Sequence, residues 1–543
     1  LHSINDNPQA VKSYQRLLLA LSSVVLLSLG WLRTSGLPLL VAFVPLLLIS
    51  ASYPKGSRPF WRMFGWTALT MGLWTVVTVW WIWYAAAVGT VAATIINIFF
   101  FGGIFMLYHA VSKRAKPALA YTVLICGWIW AEQYYLNGQV SFPWLILGNG
   151  FANDVWAVQW YEFTGAFGGS LWVLLTNVLV FEALRTRSRR KAVAAAATAL
   201  VPVAVSLVMY FSYKEPKGDK AVVTLVQPNF EPYTEKYSMP LDEQLRIMLA
   251  LAARAPVDAD YIVFPETVIG DLDDQIWEED IFRSRSVNAF RSFRAELFPE
   301  TQIVTGAMTS RLYPSEAEAS PTAHRSASGL IYDRYNSALA LDADSVLKVS
   351  HKSRLVVGVE KMPYMELLKP LKGLIQDLGG TTGQLGYDVS CHTFAMRSAR
   401  HPSGLVSAAP ICYESVYGEH FSDFVKAGAQ IIFVITNDGW WHDTEGYRQH
   451  FSYSRLRAIE TRRWVCRAAN TGISGFISPR GQVLETIGWN QRGVLTLSVT
   501  AHSGTTFYTR TGDYIARLAS YLFLLSLLYY VGYRFRRKDK LVD

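Results

Sequence analysis

The chain has 543 residues, 51% of them hydrophobic and only 17% charged, with 18 tryptophans and a formal charge of +9. The apolar residues gather into long runs, which excludes a wholly soluble multidomain chain and predicts an integral membrane protein with one soluble part. The basic excess falls in short clusters between those runs, with no basic-aromatic stripe, so nucleic acid is not expected as a partner.

Seven apolar segments come first, at about 17–32, 37–52, 63–84, 88–111, 118–136, 165–184 and 192–213, and an eighth runs from Tyr514 to Tyr533. Most are long enough to span a bilayer at about 20 residues per crossing. The second is short and contains Pro38 and Pro45. Lys and Arg cluster before the first segment and between two and three, four and five, six and seven, and again after the eighth. The intervening stretches Ala85–Gly89 and Asn137–Phe163 carry neither. Positive charge marks the cytoplasmic side, so both ends are expected there and the polar region Lys214–Asp513 on the far side. The expected domains are 1–213, a seven-helix transmembrane part; 214–513, an extracytoplasmic catalytic part; and 514–543, a last helix with a basic cytoplasmic tail. Asn137–Phe163, with Phe142-Pro143-Trp144, has the composition of an interfacial aromatic belt or a lipid entrance.

The polar region alternates β-rich runs with helical stretches, as in a layered αβ fold. Strands are expected at Ala221–Pro228, Tyr261–Phe264, Ile303–Ala307, Tyr335–Leu341 and Ile431–Thr436, and helices at Leu241–Ala253 and Gln449–Arg467. The run from Leu405 to Ile411 reads as a buried strand that delivers Cys412 to a tight turn opening a helix. Met362–Ile375, apolar and interrupted by lysines, reads either as a mobile interfacial arm or as a helix packed on its own domain. The four cysteines, Cys126, Cys391, Cys412 and Cys466, form neither a zinc pattern nor a dense disulfide framework, and a Cys391–Cys466 bridge is left open. His420, His442, His450, Asp438 and Asp443 match no ligand spacing, so no metal is expected.

Glu266, Lys352 and Cys412 stand at the ends of candidate strands, and together they suit cysteine-based acyl transfer. A thiol with an ordinary pKa of about 8.5 needs a base to take its proton and a fixed cation to stabilise the tetrahedral oxyanion. Glu266 supplies the first and Lys352 the second.

In Phe264-Pro265-Glu266, His351-Lys352-Ser353-Arg354-Leu355-Val356 and Ile411-Cys412-Tyr413-Glu414 the chain resembles the nitrilase (carbon–nitrogen hydrolase) superfamily, whose signature is Glu, Lys and Cys in that order. Joined to eight spans, it resembles the apolipoprotein N-acyltransferase family over nearly its whole length. Further matches are Val226-Gln227-Pro228-Asn229, Phe142-Pro143-Trp144, Thr436-Asn437-Asp438, Gln449-His450-Phe451, the stretch from Arg467 to Ser474, and Arg510-Thr511-Gly512-Asp513. The resemblance implies a multi-span α-helical membrane domain of about eight helices plus an α+β nitrilase-like αββα sandwich. It implies a location in the bacterial inner membrane, the catalytic domain on the periplasmic side. It also implies that Cys412 takes an acyl chain from a phospholipid donor as a thioester. The acceptor would be the α-amine of the diacylglyceryl-cysteine of an apolipoprotein, and no cofactor takes part. Supporting roles are implied for Glu360, Tyr413 and Glu414, and Tyr237 stands where an aromatic is expected after the first strand. Where the family has Leu-Val-Pro-Phe-Gly-Glu, this chain has Leu355-Val356-Val357-Gly358-Val359-Glu360, which keeps the Glu, loses the Pro and moves the Gly. The rival readings are a membrane-tethered amidase with water as acceptor and a non-catalytic membrane scaffold.

Overall fold

The computed structural model describes residues 11–54, 60–236, 238–270, 274–342, 347–364, 367 and 384–539. Tyr237 and most of Met362–Ile375 therefore lie outside the described residues. The chain forms two compact units: one from the residues up to Trp80, Val88–Ser212 and Thr511 onward, the other from Trp81–Ala87 and Tyr213–Arg510.

The first unit is helical. Four of its helices, Ala87–Ser112, Tyr161–Thr186, Arg189–Ser212 and Tyr514–Phe535, are long and apolar enough to cross a membrane. Ser13–Leu29, Phe60–Val79 and Pro117–Asn137 are also helical, and each falls on an expected apolar segment. The segment at 37–52 breaks into a 3-10 turn, Leu37–Val41, and a short helix, Val44–Ala51. Pro38 and Pro45 sit in the first turn of each piece, where a missing N–H costs no helical hydrogen bond.

The belt reading of Asn137–Phe163 is corrected by burial. Trp144, Leu145, Ile146 and Leu147 are all buried within this unit. The Trp31 indole N–H donates to the Trp144 carbonyl at 2.9 Å, and the Tyr161 hydroxyl donates to the Gly148 carbonyl at 2.8 Å. Non-helical backbone needs such internal partners in apolar surroundings, since each unpaired group costs several kcal/mol there. A Cβ on Gly148 would lie 1.8 Å from the Ala166 carbonyl oxygen, so only glycine permits this approach.

The second unit holds fourteen strands among the described residues. The first seven are β1 (Lys220–Gln227), β2 (Tyr261–Val263), β3 (Ile276–Trp277), β4 (Gln302–Tyr313), β5 (His324–Arg325), β6 (Ile331–Leu341) and β7 (Leu347–His351). Then come β8 (Phe394–Met396), β9 (Leu405–Ala408), β10 (Ile431–Thr436), β11 (Val465–Ala469), β12 (Ser474–Ile477), β13 (Val483–Ile487) and β14 (Gly493–Thr500). One sheet has the order β14-β1-β2-β4-β6-β5, with β3 on β4 and β7 on β6, and the other is β13-β12-β11-β10-β9-β8. At the centre of each the strands run parallel, β1-β2-β4 and β9-β10-β11.

Alternation along the strands builds the layers. Ile262 and Phe264 turn to one face, where Leu245, Met248 and Phe290 of the helices Leu241–Ala252 and Arg285–Leu297 cover them. Tyr261 turns to the other face and meets Phe433 of β10 edge-on at 4.9 Å. Ile432 and Val434 point away from that contact, onto Phe421, Phe424 and Ala458 of the helices Gly418–Lys426 and Glu445–Thr461. The result is helix, sheet, sheet, helix, the nitrilase-like arrangement, with strands apolar throughout because both faces are covered. Each fully buried Phe or Leu in these seams contributes about 2–3 kcal/mol.

Two expectations are corrected here. The helix expected at Gln449–Arg467 runs from Glu445 to Thr461, ends at Arg462 in the left-handed conformation, and gives way to β11, which pairs with β10. All four cysteines are free, so the Cys391–Cys466 pairing is not made.

Candidate active site

Three strand ends of the second unit deliver the site. β9 is followed by Ala409-Pro410-Ile411, and Ile411 bridges Ile435 of β10 before the chain turns sharply into the 3-10 segment Cys412–Val416. Cys412 takes φ 49°, a left-handed conformation that costs a non-glycine residue about 1–3 kcal/mol. Cys412, the candidate nucleophile, thus stands buried at the junction of the strand and the 3-10 segment.

Glu266 follows β2 and is buried, as are Lys352, immediately after β7, and Cys412. The Lys352 ammonium donates to Glu266 Oε1 at 3.1 Å and to Glu360 Oε1 at 2.9 Å. Asn336 of β6 donates from its amide to the same two oxygens, at 2.7 and 3.0 Å. The second oxygen of Glu266 accepts the Asn437 backbone N–H at 2.9 Å. Across from Glu266, a Cβ on Gly306 would lie 2.5 Å from the Glu266 Cα, so β4 approaches this closely only because residue 306 is glycine.

Electrostatics follow from this geometry. Burial works against the Lys352 charge, but Glu266 and Glu360, together with the thiol, hold its pKa well above the ordinary lysine value. Burial and the Glu266 charge push the Cys412 thiol far up, against the opposing pull of Lys352. The Glu266 charge and the Lys352 ammonium thus act on the thiol in opposite directions.

Glu414 and Tyr413 follow Cys412 directly. Glu414 accepts the Ile411 N–H at 2.7 Å through one oxygen, and the Ser353 N–H at 2.8 Å and hydroxyl at 2.7 Å through the other, which also lies 3.1 Å from His420 Nε2. Burial opposes its charge, yet His420 and these hydrogen bonds keep its carboxyl below the usual range. Tyr413 is buried, its ring edge-on to Tyr417 at 5.2 Å.

A second buried cluster supports the turn from behind. His450 Nε2 lies 3.0 Å from the Cys412 carbonyl, and its Nδ1 lies 2.8 Å from Asp438, which pairs with Arg467 at 2.8 Å. The ligating atoms of Cys412, Asp438 and His450 fall within 4.8 Å of one another. Asp438 is committed to Arg467 and His450, and both ring nitrogens of His450 are engaged, so a cation here would have to displace the guanidinium.

Glu266, Lys352, Glu360, Cys412 and Glu414 thus come together, Tyr413 lies beside them, and Tyr237 is outside the described residues. Sequence reasoning did not single out Asn336 or the Asp438–His450–Arg467 cluster as parts of the site. Asn is depleted from strands, so an Asn inside the apolar run Tyr335–Leu341 was the available signal.

Residues 222–507 match the model of the carbon–nitrogen hydrolase family, and residues 23–179 match that of the apolipoprotein N-acyltransferase N-terminal domain. The apolipoprotein N-acyltransferase of Chlorobaculum tepidum is 30% identical over 493 residues, 88% of each chain. That of Thermotoga maritima is 25% identical over 425 residues, 78% of this chain and 74% of the other. That of Geobacter metallireducens is 25% identical over 521 residues, 92% of each chain.

Proposed function

The chain belongs to the apolipoprotein N-acyltransferase family, and from that membership we propose how its own residues carry the reaction. It is an acyltransferase of lipoprotein N-acylation. In the first half-reaction the Cys412 sulfur attacks the ester carbonyl of a phospholipid acyl chain while Glu266 takes the thiol proton. Lys352 stabilises the oxyanion. The carbon–oxygen ester bond then breaks, Glu266 returns the proton to the departing glycerol oxygen, and a thioester remains on Cys412.

In the second half the neutral α-amine of the diacylglyceryl-cysteine attacks the thioester. Glu266 takes a proton from that nitrogen and passes it to the sulfur, which leaves an amide and a free thiol. Glu360 keeps Lys352 charged at the moment Glu266 is neutral. The observation that carries this reading is the Lys352 ammonium held between Glu266 and Glu360 at 3.1 and 2.9 Å, beside a thiol on a left-handed turn.

The membrane arrangement belongs to the same proposal. The eight apolar segments act as spans of the bacterial inner membrane, both ends are cytoplasmic, and the catalytic unit faces the periplasm. The alternation of basic clusters and the four long apolar helices support it. Intact-protein mass after incubation with phospholipid tests the chemistry. One acyl adduct is expected on the wild-type chain, removed by neutral hydroxylamine and missing from Cys412→Ala. An adduct that survives in Cys412→Ala refutes the assignment.

A further inference from the structure

Two cations stand beside the catalytic lysine with no role in the reaction as derived above. Arg354 lies two residues beyond Lys352. Lys361 follows Glu360, and the chain between them folds back on itself: Gly358, at φ +84°, donates to the Lys361 carbonyl at 2.8 Å, and Val357 bridges Lys361. Arg354 and Lys361 are both half-buried, and burial, with the Arg354 charge beside it, presses Lys361 below the ordinary lysine pKa.

Among the described residues neither cation has an acidic partner. The one carboxylate adjoining Lys361, that of Glu360, is already engaged by Lys352, Asn336 and the Val356 N–H. The guanidinium carbon of Arg354 lies 5.6 Å from the centre of the Tyr417 ring, and among the described residues its N–H groups donate no hydrogen bond. Two like charges partly withdrawn from water repel each other, and an anion between them relieves that cost. Val359, Tyr364 and Leu367 are exposed apolar side chains on the same stretch, which suits an anion attached to hydrocarbon.

We propose that Arg354 and Lys361 form a subsite for the phosphodiester of the acyl donor's headgroup, beside the thiol that receives its acyl chain. This rests on the acyl-transfer reading above. The acceptor brings an amine, which two cations disfavour, so the subsite acts in the first half-reaction and not in the second.

The test compares two donors in a neutral detergent: phosphatidylethanolamine, which carries the phosphodiester, and p-nitrophenyl palmitate, which has none. Acyl-enzyme formation is followed by intact mass. For Arg354→Gln and Lys361→Gln the KM for phosphatidylethanolamine is expected to rise about tenfold each, as for the loss of one charge-assisted hydrogen bond. Rates with p-nitrophenyl palmitate, and transfer of a preloaded acyl chain to a lipopeptide amine, are expected to stay at the wild-type level. Arg354→Lys and Lys361→Arg should retain most of the phospholipid affinity, which controls for folding. Equal losses on both donors, or no loss on phosphatidylethanolamine, overturn the subsite. A wild-type chain that forms no adduct from either donor overturns the acyl-transfer reading with it.

Discussion

Ser353 and Glu414 are joined twice, the carboxylate accepting both the backbone N–H at 2.8 Å and the hydroxyl at 2.7 Å of the serine. Ser353 adjoins Lys352, and Glu414 also accepts the N–H of Ile411, which precedes Cys412. One buried carboxylate thus sets the distance between the cation and the nucleophile.

Glu414→Gln should lower the rate of acyl-enzyme formation by about 10- to 100-fold, because a small misplacement of reacting groups costs that much. An amide has one acceptor oxygen where the carboxylate has two, so a buried donor is also left unpaired, at about 1–3 kcal/mol of stability. Stopped-flow mass analysis with thermal melting checks both. Wild-type rates would show that the tie has no catalytic part.

Glu266→Gln should stop proton removal from the thiol, and Lys352→Met should remove oxyanion stabilisation. Each is expected to slow acyl-enzyme formation by about 100-fold or more, with phospholipid binding retained. The motive is the shared contact of Lys352 and Glu266 at 3.1 Å. Either variant forming the thioester at the normal rate removes that residue from the chemistry.

His351 gives a pH dependence. Its ring stacks on Tyr335 at 3.9 Å, with Nε2 2.6 Å from Glu278 and Nδ1 3.2 Å from Asp388 as an ion-pair contact off the hydrogen-bond axis. Burial opposes its charge, but Asp388 and Glu278 raise its pKa to about 9 from 6.5. A raised folded pKa contributes stability in full below about 6.5, and that stability is lost as pH climbs through about 9. The contribution is on the order of 3 kcal/mol. Thermal midpoints of the wild type should fall between pH 6.5 and 9, with a shallower fall in His351→Gln; parallel curves would remove His351 as the cause.

The orientation proposed for the membrane part is checked by thiol labelling in a background lacking the native cysteines. A cysteine at Arg190, exposed in the first turn of the helix Arg189–Ser212, should resist an impermeant reagent in intact spheroplasts, while one at Gln139, exposed after Pro117–Asn137, should react. Labelling of both from the same side would overturn the orientation.

The strand ends that carry Glu266 and Cys412 were legible because the apolar runs Tyr261–Phe264 and Leu405–Ile411 stop at polar residues, whereas β7, Leu347–His351, which carries Lys352, was not among the expected strands. Contacts between residues far apart in sequence were not. Asn336 reaches Glu266 across 70 positions, and nothing local to either residue signals it. The helix at Glu445–Thr461 was overextended because Arg462-Arg463-Trp464 has no glycine or proline. Arg462 takes the left-handed conformation, and the pairing of Val465–Ala469 with β10 decides the boundary. The loop from 137 to 163 looked interfacial by composition; its burial depends on close approaches at Gly148 that composition does not reveal.

The order of the two half-reactions yields the last prediction. A thioester resists water better than it resists an amine, and on the proposed route a single buried sulfur serves both substrates, so donor and acceptor must use it in turn. Cys412 is buried, and the His450 ring that meets its carbonyl lies 5.5 Å from Trp441, itself 4.7 Å from the buried Trp81. Kinetics should therefore be ping-pong, with parallel double-reciprocal lines as phospholipid and diacylated lipopeptide are varied. Cys412→Ser should bind lipid but form no transferable acyl-enzyme, because a serine hydroxyl is far harder to ionise beside Glu266. Intersecting lines would require both substrates to be bound together. Acyl-enzyme that hydrolyses faster than it acylates the amine would favour the amidase reading over the transferase.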